Sequence, residues 1–195
     1  MKISIVKKEA QQTAEWSGGF STELYIFPEN TDYKSRNFGF RISTATVDEE
    51  ESNFTSLPGY HRILMVLKGE LTIHHEGQYS KTLKKLEVDH FNGAWNTKSQ
   101  GKVIDFNLML SNQFKGSLKP VQLKKEESSS GILPASSNFN GFYVASGIIE
   151  LKLNHQNILL EEGDFLILDK KGLELDYKIN SSTQAEVVLI STTAN

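Results

Sequence analysis

The chain has 195 residues, 38% hydrophobic and 23% charged, with a formal net charge of -3, a balance that fits a folded globular protein and not a disordered one. It contains no cysteine, which excludes a disulfide scaffold, a zinc ribbon and a thiol nucleophile. The weak negative charge argues against a nucleic-acid partner, which would call for a basic field.

The chain opens with MKISIVKKEAQQ, which lacks the apolar core of a signal peptide. No segment reaches the roughly 20 apolar residues that span a bilayer. The expectation is a cytoplasmic protein with no membrane partner. KKEAQQTAEW is the best helix candidate and offers at most a turn or two. Beyond it strand signals dominate. YIFP, FGFRISTATV, RILMVL, LTIHH, VIDFNLML, GFYVASG, IIELKL, DFLIL and AEVVLIS are short, β-branched or aromatic, and mostly bounded by Gly, Asn, Pro or charged clusters. Regular short strands of this kind predict an all-β sandwich or barrel.

Residues 114–140 differ. They hold Pro120, Pro134, the Ser128–Ser130 run and KKEE, a composition that buries little apolar area against its ordering entropy. The segment reads as a connection between two halves, 1–113 and 141–195, part of which can pair as an edge strand. The halves echo one another: MVLKGELTI (65–73) and YVASGIIEL (143–151) share a Val, a Gly three residues later and apolar residues after it. This predicts a duplicated β-barrel, with strands open to exchange between the halves.

Alternation along two strands gathers polar groups. Arg41 and Ser43 lie two apart and share a face, with small Ala45 next along it. Asp105 and Asn107 share the opposite side of their strand from Phe106 and Leu108. A buried arginine must be paired, since an isolated buried charge costs several kcal/mol or more. Arg41 or Arg62 could be held by Glu23 or Asp105 in a structural ion pair. Alternatively, one guanidinium stays available for a ligand carboxylate in the bidentate geometry arginine suits. Trp16, before Gly18 and Gly19, is either a packing plug or a surface on which a planar ligand stacks. The run Asp48–Glu51 is a solvated loop. Neither a phosphate-cradling loop nor a Gly-x-Ser-x-Gly elbow occurs.

The motifs Trp16-Ser-Gly-Gly-Phe-Ser-Thr-Glu23, Phe40-Arg41-Ile-Ser43-Thr-Ala45, Phe54-Thr-Ser56-Leu-Pro58-Gly59-Tyr-His-Arg62, Gly69, Phe91-Asn-Gly93 and Asp105-Phe-Asn107-Leu-Met109 resemble the HutD/Ves family of the cupin superfamily. The resemblance covers the first two thirds of the chain. It implies double-stranded β-helix barrels, two cupin-like halves forming one bicupin, and binding of a small metabolite in a regulatory role linked to histidine utilisation. It attaches no reaction.

Cupin barrels commonly hold a metal through His-x-His, a Glu, and a Gly seven residues after it. Counting back from Gly69 puts Arg62 where that Glu would stand, and Thr55 and Leu57, or Phe54 and Ser56, where the histidines would be. The second-motif histidine falls near Asn96. Arginine has five donors and no acceptor, so a metal is repelled and an anion attracted. The five histidines, 61, 74, 75, 90 and 155, read as surface or turn residues. The expected protein therefore carries no metal and no cofactor. It binds a small anionic metabolite through Trp16, Glu23, Arg41, Ser43, Arg62, Asp105 and Asn107. The alternatives are a metal-independent isomerase or epimerase, and a structural protein without ligand. Edge-strand pairing between subunits would give a homodimer.

Overall fold

The computed structural model describes residues 1–170 and 172–195. Nineteen strands follow in order: β1 (Lys2–Val6), β2 (Gln12–Trp16), β3 (Gly19–Phe27), β4 (Phe40–Val47), β5 (Glu51–Asn53), β6 (Tyr60–Lys68), β7 (Leu71–His75), β8 (Tyr79–Leu83), β9 (Val88–Asn92), β10 (Thr97–Gln100), β11 (Val103–Ser111), β12 (Phe114–Leu123), β13 (Ser128–Leu133), β14 (Phe139–Ser146), β15 (Ile148–Leu153), β16 (Gln156–Glu161), β17 (Phe165–Asp169), β18 (Leu175–Ser181) and β19 (Ala185–Ala194). The helix candidate near the start shrinks to one 3-10 turn, Lys8–Ala10, followed directly by β2. No helix among the described residues is long and apolar enough to cross a membrane.

The chain divides into two compact units. The first, residues 11–115 with Asn195, sets a six-stranded sheet, β2-β3-β4-β11-β6-β9, against a four-stranded one, β5-β10-β7-β8. Val47, Leu64, Val66, Phe91 and Val103 from the larger sheet meet Leu71, Ile73 and Leu83 from the smaller in one apolar cluster. Each such side chain stabilises the fold by roughly 1.5–3 kcal/mol. The second unit, residues 1–10 and 116–194, sets β1-β17-β14-β19-β12 against β13-β18-β15-β16. Its cluster joins Phe142, Val144, Leu166, Leu168 and Val187 to Ile149, Leu151, Leu160 and Ile179.

Two assignments of segments change. β1 opens the chain but pairs with β17, from Lys2 opposite Asp169 to Val6 opposite Phe165, so it lies with the second unit and not in the 1–113 half. Ile3 packs on that unit's core, and Lys7 Nζ holds Asp164 Oδ2 at 2.6 Å. Residues 114–140 supply β12 and β13, each at the edge of its sheet, so the part that pairs extends to two strands. β13 pairs along its length with β18, and its side chains alternate between exposed and more buried. Serine hydroxyls tolerate that half-solvated face, and the backbone pairing satisfies the rest.

The two units repeat a backbone plan. Gly69 between β6 and β7, and Gly147 between β14 and β15, both take positive φ, 89° and 85°. An added Cβ would lie 2.7 Å from Lys102 O at the first and 2.3 Å from Gln184 O at the second. Only glycine fits such a site. Farther on, Leu86 N–H donates to Val66 O at 2.7 Å and Val66 N–H to Glu87 O at 3.2 Å. In the second unit Gly163 N–H donates to Val144 O at 2.8 Å and Val144 N–H to Asp164 O at 3.1 Å. The registers correspond too. Asp105 stands opposite Val66 and Asn107 opposite Leu64, while Val187 stands opposite Val144 and Leu189 opposite Phe142. The first unit thus has a carboxylate and an amide where the second has two aliphatic side chains.

Candidate functional site

The inward face of the six-stranded sheet explains the polar cluster. Strand pleat places Arg62, Leu64 and Val66 on one side of β6 and His61 on the other; Arg62 is 7% exposed, and His61 is exposed. On β11 the same alternation turns Asp105 and Asn107 inward, and on β4 it turns Arg41 and Ser43. All four are buried. Register then assembles them: Asn107 stands opposite Ser43 and Leu64, and Met109 opposite Arg41 and Arg62. Glu23 on β3 stands opposite Ser43.

The two arginines are held differently. Arg41 Nε donates to Glu23 Oε2 at 2.7 Å, and its Nη1 donates to Ser43 Oγ at 3.0 Å. The Tyr33 ring lies over its guanidinium, 4.6 Å from centroid to Cζ. Arg41 is therefore the structural partner of a carboxylate. Arg62 Nη2 donates to Asn107 Oδ1 at 2.9 Å. Its guanidinium lies 5.0 Å from the Phe54 ring and 5.1 Å from the Phe91 ring. Its Nε is buried and has no hydrogen-bond partner. Burial lowers the pKa of Arg62; Arg41 acts in the same direction, while Tyr33 and Asp105 oppose it. A guanidinium nonetheless keeps its proton.

Asp105 accepts from Asn107 Nδ2, so the Asn107 amide is fixed with its oxygen toward Arg62 and its nitrogen toward Asp105. Burial pushes the Asp105 carboxyl up to about 7, against the opposing pull of Arg62 and of the Asn107 hydrogen bond. Glu23, with its side chain 34% exposed against 7% for Arg41, is the most open member of the set and marks the side facing solvent. Trp16 stands apart. Its ring packs over Gly18, where an added Cβ would lie 2.3 Å from it, and against the apolar cluster of the first unit.

The flanking aromatics Tyr33, Phe54 and Phe91 were not among the residues the sequence suggested. Phe54 lies in a motif quoted above, but nothing in the local pattern signals that a ring will cover a cation. His75 also corrects the surface assignment of the histidines. It is fully buried, whereas its neighbour His74 is exposed. Its Nε2–H points to Asp89 Oδ2 at 3.0 Å, and Nδ1 meets Thr97 Oγ1 at 2.8 Å. Tyr79 Oη donates to the other Asp89 oxygen at 3.0 Å. Phe91 lies between this network and Arg62, with its ring 4.6 Å from that of His75.

The residues do not fit a divalent cation. Arg62 offers no lone pair, and at the second position the inward residue is Thr97, with Asn96 exposed. Among the described residues no group of three or more His, Cys, Asp or Glu could hold a metal, whereas structural and catalytic sites use three or four such donors. Among the described residues, surface hollows lie elsewhere. One of about 790 Å³ is lined by Ser130, Ile132, Lys152, His155 and Tyr177, and one of about 360 Å³ by Glu51, Thr72, His74 and Lys98. Neither contains a buried polar atom without a partner, so the chemistry favours Arg62 over the larger openings.

The sequence model of the HutD family matches residues 8–189. An uncharacterized 21.2 kDa protein in the hutC 3' region of Pseudomonas putida is 31% identical over 118 residues, 57% of this chain and 60% of that protein. Protein Ves of Escherichia fergusonii is 32% identical over 96 residues, 47% of this chain and 48% of that protein. The matches thus span about half to three fifths of these curated relatives. Among solved structures, a conserved protein of unknown function from Pseudomonas aeruginosa PAO1 superposes with TM-score 0.85 at 20% identity, with both chains fully covered. HutD from Pseudomonas fluorescens SBW25, in a formate condition, gives 0.78 at 22%, again with both chains covered. A bacterial pirin from Escherichia coli in complex with nickel(II) gives 0.71 at 12%, also over both whole chains. These likenesses establish the all-β, cupin-like fold.

Proposed function

The chain belongs to the HutD family, and on that premise we propose that it is a metal-free bicupin whose first unit binds a small anionic metabolite in a regulatory or sensory role. The observation that carries this reading is Arg62, a buried guanidinium with an unpartnered Nε. Asn107, two ring faces and Asp105 offset the desolvation of its charge only in part, and a carboxylate completes this through charge-assisted hydrogen bonds to Nε. Arg41 and Ser43, already engaged with each other and with Glu23, frame the site. Asp105 and Asn107 orient Arg62. The P. putida relative's place in the hutC 3' region supports a link with histidine utilisation.

Thermal unfolding of the full chain in formate, other small carboxylates and histidine-pathway carboxylates tests this. A ligand that binds the native state raises Tm by mass action, about 2.7 kcal/mol at a hundredfold excess over Kd. Arg62→Met removes the shift with an acid that stabilises the parent, and lowers the stability of the unliganded chain near neutral pH, because Asn107 Oδ1 loses its donor and Asp105 the cation that favours its charge. A shift that survives Arg62→Met refutes the assignment. A metal-independent isomerase is the second reading, favoured by a single feature: Asp105, a buried carboxyl titrating near neutrality, has the value an acid/base catalyst needs. Turnover of a stabilising acid, lost in Asp105→Asn, would select it.

A further inference from the structure

The charges around Arg62 allow a sharper statement about what enters the site; it rests on the carboxylate reading given above. Four charged side chains converge in the first unit: Arg41 from β4, Arg62 from β6, Glu23 from β3 and Asp105 from β11. Arg41 and Glu23 satisfy each other directly. Arg62 and Asp105 do not touch as an ion pair. The Asn107 amide stands between them, accepting from Arg62 and donating to Asp105. Other titratable groups near this face are Tyr33, over Arg41, Tyr60, two residues before Arg62 on β6, and the His75–Asp89–Tyr79 network, separated from Arg62 by Phe91. With Asp105 ionised the four charges cancel. With Asp105 neutral, the set carries one positive charge.

A carboxylate seated on Arg62 Nε adds a negative charge one amide away from Asp105. The site is buried, so solvent screens that repulsion poorly. The same ligand also takes up the Arg62 charge that helps keep Asp105 ionised. Both effects drive a proton from solvent onto Asp105. A dianion would leave a further buried charge with no partner.

We propose that the Arg62–Asn107–Asp105 cluster takes up a monocarboxylate together with one proton, which comes to rest on a carboxyl oxygen of Asp105. Asp105 is then a specificity-determining residue: it makes the site accept the equivalent of a neutral monocarboxylic acid.

The test uses formate as probe and the full chain. Titration calorimetry at about pH 8 in HEPES and in Tris gives apparent enthalpies that differ by the buffers' ionisation enthalpies, showing uptake of nearly one proton. At about pH 5.5, where Asp105 already holds its proton, the buffer dependence disappears. Formate affinity falls by up to about tenfold per pH unit above neutrality. In Asp105→Asn, an isosteric change, both the uptake and the pH dependence are lost while formate still binds. Infrared difference spectra give an independent readout: at about pH 8 formate produces a protonated-carboxyl band in the parent and none in Asp105→Asn. Formate binding with pH-independent affinity and no buffer dependence, abolished by Arg62→Met, overturns the proton coupling and leaves the carboxylate site standing. No formate binding at either pH overturns both.

Discussion

Replacing Asp105 by Asn should alter the pH dependence of stability even without ligand. In the folded chain Asp105 is pushed up to about 7 from an ordinary 3.8, chiefly by burial. A carboxyl raised in this way contributes stability that is fully present below its unfolded value and is lost as pH rises through its folded value. The window is therefore about pH 4 to 7. Each unit of difference corresponds to about 1.4 kcal/mol. Between about pH 5 and pH 8, the parent should lose about 3 kcal/mol that Asp105→Asn does not lose. Asn can still accept from Asn107, so the hydrogen bond survives the change. Urea unfolding of both proteins at the two pH values measures the difference directly, with the slope of the transition as a check that the unfolded states match. Near neutrality the variant should be the more stable protein relative to its position at pH 5. Parallel pH profiles would show that Asp105 is ionised throughout, and the reasoning about its environment would fail.

Other expectations concern the frame. Glu23→Gln removes the charge that neutralises Arg41; since Glu23 is partly exposed, stability should fall by only about 1 kcal/mol, while formate affinity should rise because the set gains a positive charge. Both quantities come from thermal titrations. Gly147→Ala should destabilise the chain by roughly 3 kcal/mol or more, because the new Cβ meets Gln184 O at positive φ. Gly77→Ala, also at positive φ but with nothing within 4 Å, should cost only about 1 kcal/mol; equal effects in denaturant unfolding would refute the steric argument.

Local rules carried much of this molecule. Alternation along β4 and β11 grouped Arg41 with Ser43 and Asp105 with Asn107 on one face of each strand, but did not say whether that face is inward, since both faces of β11 are buried. Counting back from Gly69 singled out Arg62 because the turn glycine fixes the strand's register. Long-range pairing was not legible. Nothing in KISIV says that it will pair with FLILD near the other end of the chain, and nothing in SSSGIL tells an edge strand from a loop, since its hydroxyls suit either. His75 failed for a related reason. Period two assigns His74 and His75 to opposite faces but does not say which is inside. That choice depends on Asp89 and Thr97, which reach His75 from other strands. Tyr33 comes from a segment with no periodicity at all, between β3 and β4.

The duplicated plan sets a limit on stoichiometry. The second unit repeats the glycine turn and the crossing hydrogen bonds of the first, but Val187 and Leu189 occupy the places of Asp105 and Asn107. Asn140, opposite Ser191 as Arg62 is opposite Met109, spends its amide on Ser137 and on Ile190 O. If the first unit is the receptor proposed above, the second lacks the matching acid and amide. Saturation should then come at a single equivalent of acid per chain, and a second equivalent bound with similar strength would mean that those two side chains do not decide binding.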